Sequence, residues 1–268
     1  MPNISLAAIW DETRAYIARE AALLLPVTAG TIGVAMVILF LAVPEQTPGA
    51  PPLQPGAWAL WLIPYFLLLM AGTLALSALA IKPGLSVREA LLLAVRRLPQ
   101  GVALIGLLAL AALLLVFFIG RVAMIMARLS GADAAQGASM GIALSVGVMM
   151  VLSVRCIFAL PAIAAGAGPV GALAASWRVS APYKWRLLLL WIAIGFVSLL
   201  LLVTVEFGVG SLILLLTRAL GDPSLGTLLV QLVLALVSCL IQLVWLSFIA
   251  RLYLGLSRSA RGPSSKGT

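Results

Sequence analysis

The 268-residue sequence has no histidine, two cysteines and eight acidic residues. Histidine is the commonest general base and the commonest metal ligand, so its absence removes the usual hydrolytic and zinc chemistries together. Cys156 and Cys239 both lie inside apolar stretches and fit neither a disulfide framework nor a metal motif. They read as small buried hydrophobes. There is no Walker A or His-Glu-x-x-His spelling. No enzymatic activity and no cofactor or metal are therefore expected. Charge is scarce too. Charged residues make up 9% of the chain, where a soluble domain carries roughly a quarter. Too few charges remain to clothe a water-soluble globule.

What is present is apolar, and it comes in blocks. Hydrophobic residues make up 63% of the chain and the mean hydropathy is +1.20. Six stretches reach the ~20 residues that a helix needs to cross a hydrocarbon core: 21–43, 57–81, 101–120, 138–164, 187–205 and 225–250. Within 101–120, 13 residues are Leu, Ile, Val or Phe. At roughly −0.3 to −0.6 kcal/mol each, insertion gains about 4 to 8 kcal/mol as an upper bound. Continuous apolar runs exclude a β-barrel, whose strands would alternate. The fold class is thus all-α, a polytopic membrane bundle of six transmembrane helices. It forms a single integral membrane domain over 1–256, with a disordered tail over 257–268. The N-terminus carries Asp11, Glu12 and Glu20 beside Arg14 and Arg19 and reads as a retained first helix.

The formal net charge of +9 would suggest nucleic acid in a soluble protein. Here the cations flank the apolar blocks, where they orient helices and meet anionic headgroups, so no nucleic-acid partner is expected. Segments 1–20, 82–100, 166–186 and 251–268 hold 13 of the 17 Lys and Arg residues, against Arg121, Arg128 and Arg218 on the other side. The positive-inside rule then places both termini in the cytoplasm, and a bacterial inner membrane is the expected location. The connection 44–56, with five prolines, reads as short and extended on the outer side. Trp and Tyr residues cluster near the ends of the blocks, as an interfacial belt would.

A shift of 90 residues aligns Ser86 with Ser176, Arg88 with Arg178, Arg96 with Arg186, Arg128 with Arg218 and Gly131 with Gly221. Arginine is rare enough here for such matches to indicate an internal repeat. The units run about 1–81, 82–165 and 166–256, each a short cytoplasmic interfacial helix, an outgoing helix, a tight turn and a returning helix. The interfacial segments Ser86–Leu98 and Val170–Arg186 mix apolar residues with arginine and should lie at headgroup depth. Their candidate lipid-headgroup contacts are Arg88, Arg96, Arg178, Lys184 and Arg186.

Two further charges fall within or beside apolar blocks and are functional candidates by that placement. Arg155 sits late in the fourth block, where it can snorkel to the cytoplasmic headgroups. Glu206 lies near the outer interface, within reach of Arg121, Arg128 or Arg218, and on the opposite side from Arg155. Ser176 has no histidine to activate it. Gln231 and Gln242 are expected to hydrogen-bond between helices.

The run from Arg155-Cys-Ile-Phe-Ala-Leu-Pro161 through Gly168-Pro169 and Ser176-Trp177-Arg178 to Lys184-Trp185-Arg186 resembles the membrane domain of the glycerophosphodiester phosphodiesterase membrane-domain family. Ala250-Arg-Leu-Tyr253 fits the sixth helix of that family. The resemblance implies a six-helix membrane module. In that family the phosphodiesterase chemistry belongs to a separate soluble barrel, which these residues do not encode. The expected function is a non-enzymatic membrane module that contacts lipid headgroups or a partner protein through its basic cytoplasmic face. The alternative is a small-molecule or lipid transporter.

Overall fold

The computed structural model describes residues 6–44, 56–82, 84–131 and 133–260. Of the expected extended connection 44–56, all but its two end residues lie outside the described residues. So do residues 261–268 of the expected tail, while 257–260 continue the last helix.

Every element among the described residues is helical. The first span is α1 (Leu6–Thr28), a π-helical turn Ala29–Gly33, and α2 (Val34–Ala42). A 3-10 turn Ala57–Trp61 leads into α3 (Leu62–Ile81). The third span is one rod, α4 (Val87–Leu129). The fourth is α5 (Ala134–Cys156) with α6 (Ala159–Ala165). The fifth strings together α7 (Pro169–Ser180), a 3-10 turn Ala181–Tyr183, α8 (Lys184–Thr204), a π-helical turn Val205–Gly210 and α9 (Ser211–Ala219). The sixth is α10 (Pro223–Ala260). Six of these assemblies are long and apolar enough to cross a membrane.

Local chemistry sets the boundaries. At the start of α4 the Glu89 N–H donates to Ser86 Oγ at 3.3 Å, and the Ser86 N–H donates to Glu89 Oε2 at 2.9 Å. This reciprocal cap satisfies two otherwise orphaned donors. Asp133 starts α5 by accepting from the Gln136 N–H at 2.7 Å. Gly131 and Gly221 take φ of +73° and +81° just past the ends of α4 and α9, a left-handed conformation that glycine adopts without a Cβ penalty.

Two expected elements differ from the structure. Ser86–Leu98 is no separate interfacial helix, because α4 runs unbroken through Pro99. A proline removes one ladder bond, and the regular bonds on either side carry the helix past it. Likewise, 6–20 belongs to the same helix as the start of the first span. Only α7 stands apart from the span that follows it, where the 3-10 turn at Pro182 intervenes.

The core is built around α3, whose residues Gly72–Ala80 are all buried. It packs against α2, α4, α6 and α10. Gly72 permits the approach to the first span, since a Cβ there would collide with Thr31 Oγ1 and lie 2.7 Å from Ile32 Cγ1. A second cluster surrounds Phe158 and joins α1, α5, α8 and α10 through Ile9, Leu187 and Phe248. Glu12 and Arg251 bond directly, so α1 and α10 begin and finish at the same end of the bundle, called the basic end below. Elsewhere the long helices stay uncovered, with Leu113 on α4 at 68% and Val197 on α8 at 63% exposed. Lipid tolerates such surfaces, whereas water would penalise them.

Candidate functional site

The fourth span breaks between Cys156 and Ala159, and the break organises the basic end. Pro161 lies near the start of α6 and supplies no N–H, while Gly166 closes α6 at φ +121°. At the break, the Arg155 carbonyl accepts from Ser176 Oγ at 2.6 Å, and the Phe158 N–H donates to the same Oγ at 3.2 Å. Ser176, on α7, is fully buried. One hydroxyl thus satisfies both an orphaned acceptor and an orphaned donor, which buried backbone groups require.

This staple sets the neighbours of Arg155. Trp177, the next residue on α7, places its ring centroid 5.2 Å from the Arg155 guanidinium carbon, within cation–π range. Lys184 Nζ lies 5.8 Å from the Trp185 centroid. Arg155, Lys184 and Trp185 line a recess of about 140 Å³ between α5 and α8, with Val151, Val154 and Leu188 as its apolar wall. Arg155 Nη1 is covered by protein and has no hydrogen-bond partner. The surface of the recess is almost wholly apolar, with the charged ends of Arg155 and Lys184 at its edge and not its floor.

Of the lipid-contact candidates, Lys184 alone lines this recess. Arg178 and Arg186 are exposed nearby on α7 and α8, and Arg88 and Arg96 are exposed on the first turns of α4. None of them is ion-paired: the pairs among the described residues are Arg19–Glu20 and Arg251–Glu12. Glu206 is exposed in the π-helical turn at the far end of α8, about 30 Å from Lys184 by helical rise. No ion pair joins it to Arg121, Arg128 or Arg218, and Arg121 instead lies 5.0 Å from the Phe117 ring centroid. The span continues past Glu206 into α9, so this carboxylate lies along the helix and not at its end.

Sequence reasoning missed three residues. Ser176 reads as an idle hydroxyl until the fold brings it to the break. Arg97 lies beside the more exposed Arg96, but its Nη1 donates to Gln100 Oε1 at 3.1 Å and its Nη2 reaches the Gly166 turn. A helix turns about 100° per residue, so adjacent arginines cannot share a face. Arg251 is the third. In addition, Gly137-Ala-Ser139-Met-Gly141 matches the Gly-x-Ser-x-Gly spelling. It lies within α5 and not at a strand-to-helix elbow, and Ser139 donates to the Gln136 carbonyl at 2.9 Å. Among the described residues no three His, Cys, Asp or Glu side chains group to hold a metal.

No family model, curated protein or solved structure matches this chain.

Proposed function

We propose that the chain is a non-enzymatic module of a bacterial inner membrane, with its basic end and both termini in the cytoplasm. That end engages anionic lipid headgroups. The observation that carries this reading is the set of cations without carboxylate partners around the α5–α6 break, interleaved with Trp177 and Trp185. Cations left unpaired beside indole rings at the end of apolar helices match the chemistry of the headgroup layer, with phosphate outside and acyl carbon within. A cytoplasmic partner protein with an acidic surface is the other occupant such a face would accept.

The internal repeat belongs to the same proposal. Gly131 and Gly221 close their helices alike, each donating its N–H to the carbonyl of the arginine three residues earlier, at 3.3 and 3.1 Å. The correspondence weakens toward the basic end, where Ser86 caps α4 and Ser176 bridges a helix break. The resemblance to the glycerophosphodiester phosphodiesterase membrane-domain family also stays a proposal. Its Arg155, Ser176 and Trp177 meet in space, which supplies a structural reason for that spelling. The transporter alternative lacks a central charge pair, since Arg155, on α5, lies beside the first residue of α8 while Glu206 follows its last.

Native mass spectrometry of the protein in detergent tests the lipid reading. Each Lys or Arg near an anionic surface contributes about 1 kcal/mol. Replacing Arg96, Arg178 and Arg186 together with Gln should therefore lower retention of phosphatidylglycerol by roughly a hundredfold in affinity. Unchanged retention would overturn it. A reporter at the C-terminus should also report from the cytoplasm, and a periplasmic signal would reverse the orientation.

A further inference from the structure

A second feature of the basic end lies apart from the α5–α6 break. A cavity of about 330 Å³ opens between α1, the α3–α4 connection and α10. Its volume is at the lower end of the range for small-molecule sites. Tyr16, Arg19 and Glu20 enter from one face of α1, Lys82 from the connection, and Arg251 from α10. Leu23 and Leu79 line it one turn deeper in the bundle than Glu20 and Lys82, and Leu254 lines it one turn beyond Arg251.

Arg251 is the built part of this site. Its side chain is 18% exposed and is fixed at two points. Nη1 donates to Glu12 Oε1 at 2.7 Å, and the guanidinium carbon lies 4.3 Å from the Tyr16 ring centroid. Its Nε–H, on the other edge, is buried with no acceptor. A guanidinium presents five donors, and Glu12 occupies only one edge of the fork. An arginine that merely tied α10 to α1 would be expected to keep its remaining donors in water or on a carbonyl, because a buried donor without a partner is costly. Lys82 is exposed and has no ion pair among the described residues. Arg19 is already bonded to Glu20 at 3.0 Å. Of the three cations on the wall, Arg19 is paired with Glu20 and Arg251 with Glu12, which leaves Lys82 and the rest of the Arg251 fork without an anion.

We infer that this cavity binds one phosphate group, with Arg251 and Lys82 holding the phosphate oxygens and the phenol of Tyr16 available as a further donor. A phosphate accepts two parallel N–H bonds from an arginine edge, and a lysine meets it as a point charge. Leu23 and Leu79, on the deeper side of the cavity, fit the glycerol and first acyl carbons of a phospholipid, so an anionic lipid headgroup is the source we assign. The inference rests on the headgroup reading of the basic end but places the ligand on residues outside the face assigned above.

The test uses the full chain in nanodiscs of phosphatidylcholine, with or without phosphatidylglycerol, and native mass spectrometry to count retained lipid. Wild type should retain one phosphatidylglycerol more tightly than any phosphatidylcholine. Lys82→Gln, an exposed substitution that leaves the Glu12–Arg251 bond in place, should weaken that lipid roughly fivefold. Arg251→Lys keeps the charge but loses the fork, and should weaken it further. Replacing Arg96, Arg178 and Arg186 should strip the other anionic lipids and leave this one bound, which separates failure of the cavity from failure of the face. A parallel arm adds glycerol 3-phosphate or inorganic phosphate to the phosphatidylcholine discs and reads the thermal midpoint. A shift in wild type that Lys82→Gln abolishes keeps the phosphate site and assigns it a soluble source. Equal retention of phosphatidylglycerol by wild type and Lys82→Gln, with no midpoint shift in the soluble arm, would overturn the inference.

Discussion

Ser176 shows how much a single hydroxyl can carry at the scale of one residue. It bridges Arg155 and Phe158 across a broken helix, so Ser176→Ala leaves a buried carbonyl and a buried N–H unpaired. The expected cost is about 1–3 kcal/mol for each group left without a partner, read as a lower thermal midpoint in detergent. Ser77 and Ser247 make the opposite case. Both hydroxyls are buried without a hydrogen-bond partner, so alanine at either position should leave the midpoint unchanged or raise it. A fall of more than about 1 kcal/mol would show that an ordered water bonds them. Asp222, in the exposed turn before α10, offers a titration. The Ser224 hydroxyl donates to it at 2.6 Å and the Leu225 N–H at 3.1 Å, which together hold its carboxyl below the usual aspartate value. A depressed carboxyl stabilises the folded turn above its unfolded pKa, and that contribution is lost as pH falls through the folded value. The Leu225 amide shift followed by NMR should titrate below about 3.9, and Ser224→Ala should move the midpoint upward.

At the scale of elements, close approach decides which glycines matter. A Cβ at Gly72 would collide with Thr31 on the first span, whereas one at Gly106 on α4 meets nothing within 4 Å. Gly72→Ala should therefore cost about 1–3 kcal/mol through overpacking. Gly106→Ala should be neutral or gain about 0.5–1 kcal/mol by restricting the unfolded chain. Thermal unfolding of the two variants checks the contrast, and equal effects would mean that α3 does not seat against the first span as described. The same scale exposes a limit of reading hydropathy. The apolar core of α4, 101–120, is plain in the sequence, but the helix extends over 43 residues. That is about 64 Å at helical rise, roughly twice the ~30 Å of hydrocarbon. Arg88, Arg96 and Arg128 interrupt the apolar run without interrupting the backbone ladder, because arginine is a good helix former. Hydropathy marks where lipid begins, and propensity and caps mark where the helix begins.

At the scale of the whole molecule, the buried apolar clusters gather on α3 and the halves of α4 and α10 near the basic end, while the far half of α4 packs against α5 through Ala123, Ala127, Gly137 and Gly141. The exposed stretches of α4 and α8 then face the surrounding solvent. Spin labels at 113 and 197 should show high accessibility to oxygen, which partitions into hydrocarbon, and labels at 74 and 243, both buried, should show little. Protection at all four sites would mean that another protein surface covers α4 and α8.

Composition and block length determined by themselves that this is a helical chain with six segments fit to cross a membrane, because partition into lipid depends on each segment's own side chains. The excess of cations on one set of connections was legible for the same reason. Only the tertiary structure decided that Ser176 bridges Arg155 to Phe158, that Arg97 turns to Gly166, and that Tyr16, Lys82 and Arg251 enclose one cavity. Those relations, with the Glu12–Arg251 bond beside the cavity, join residues up to 239 positions apart. They arise from how helices seat against one another, and a sequence read one segment at a time carries no record of that.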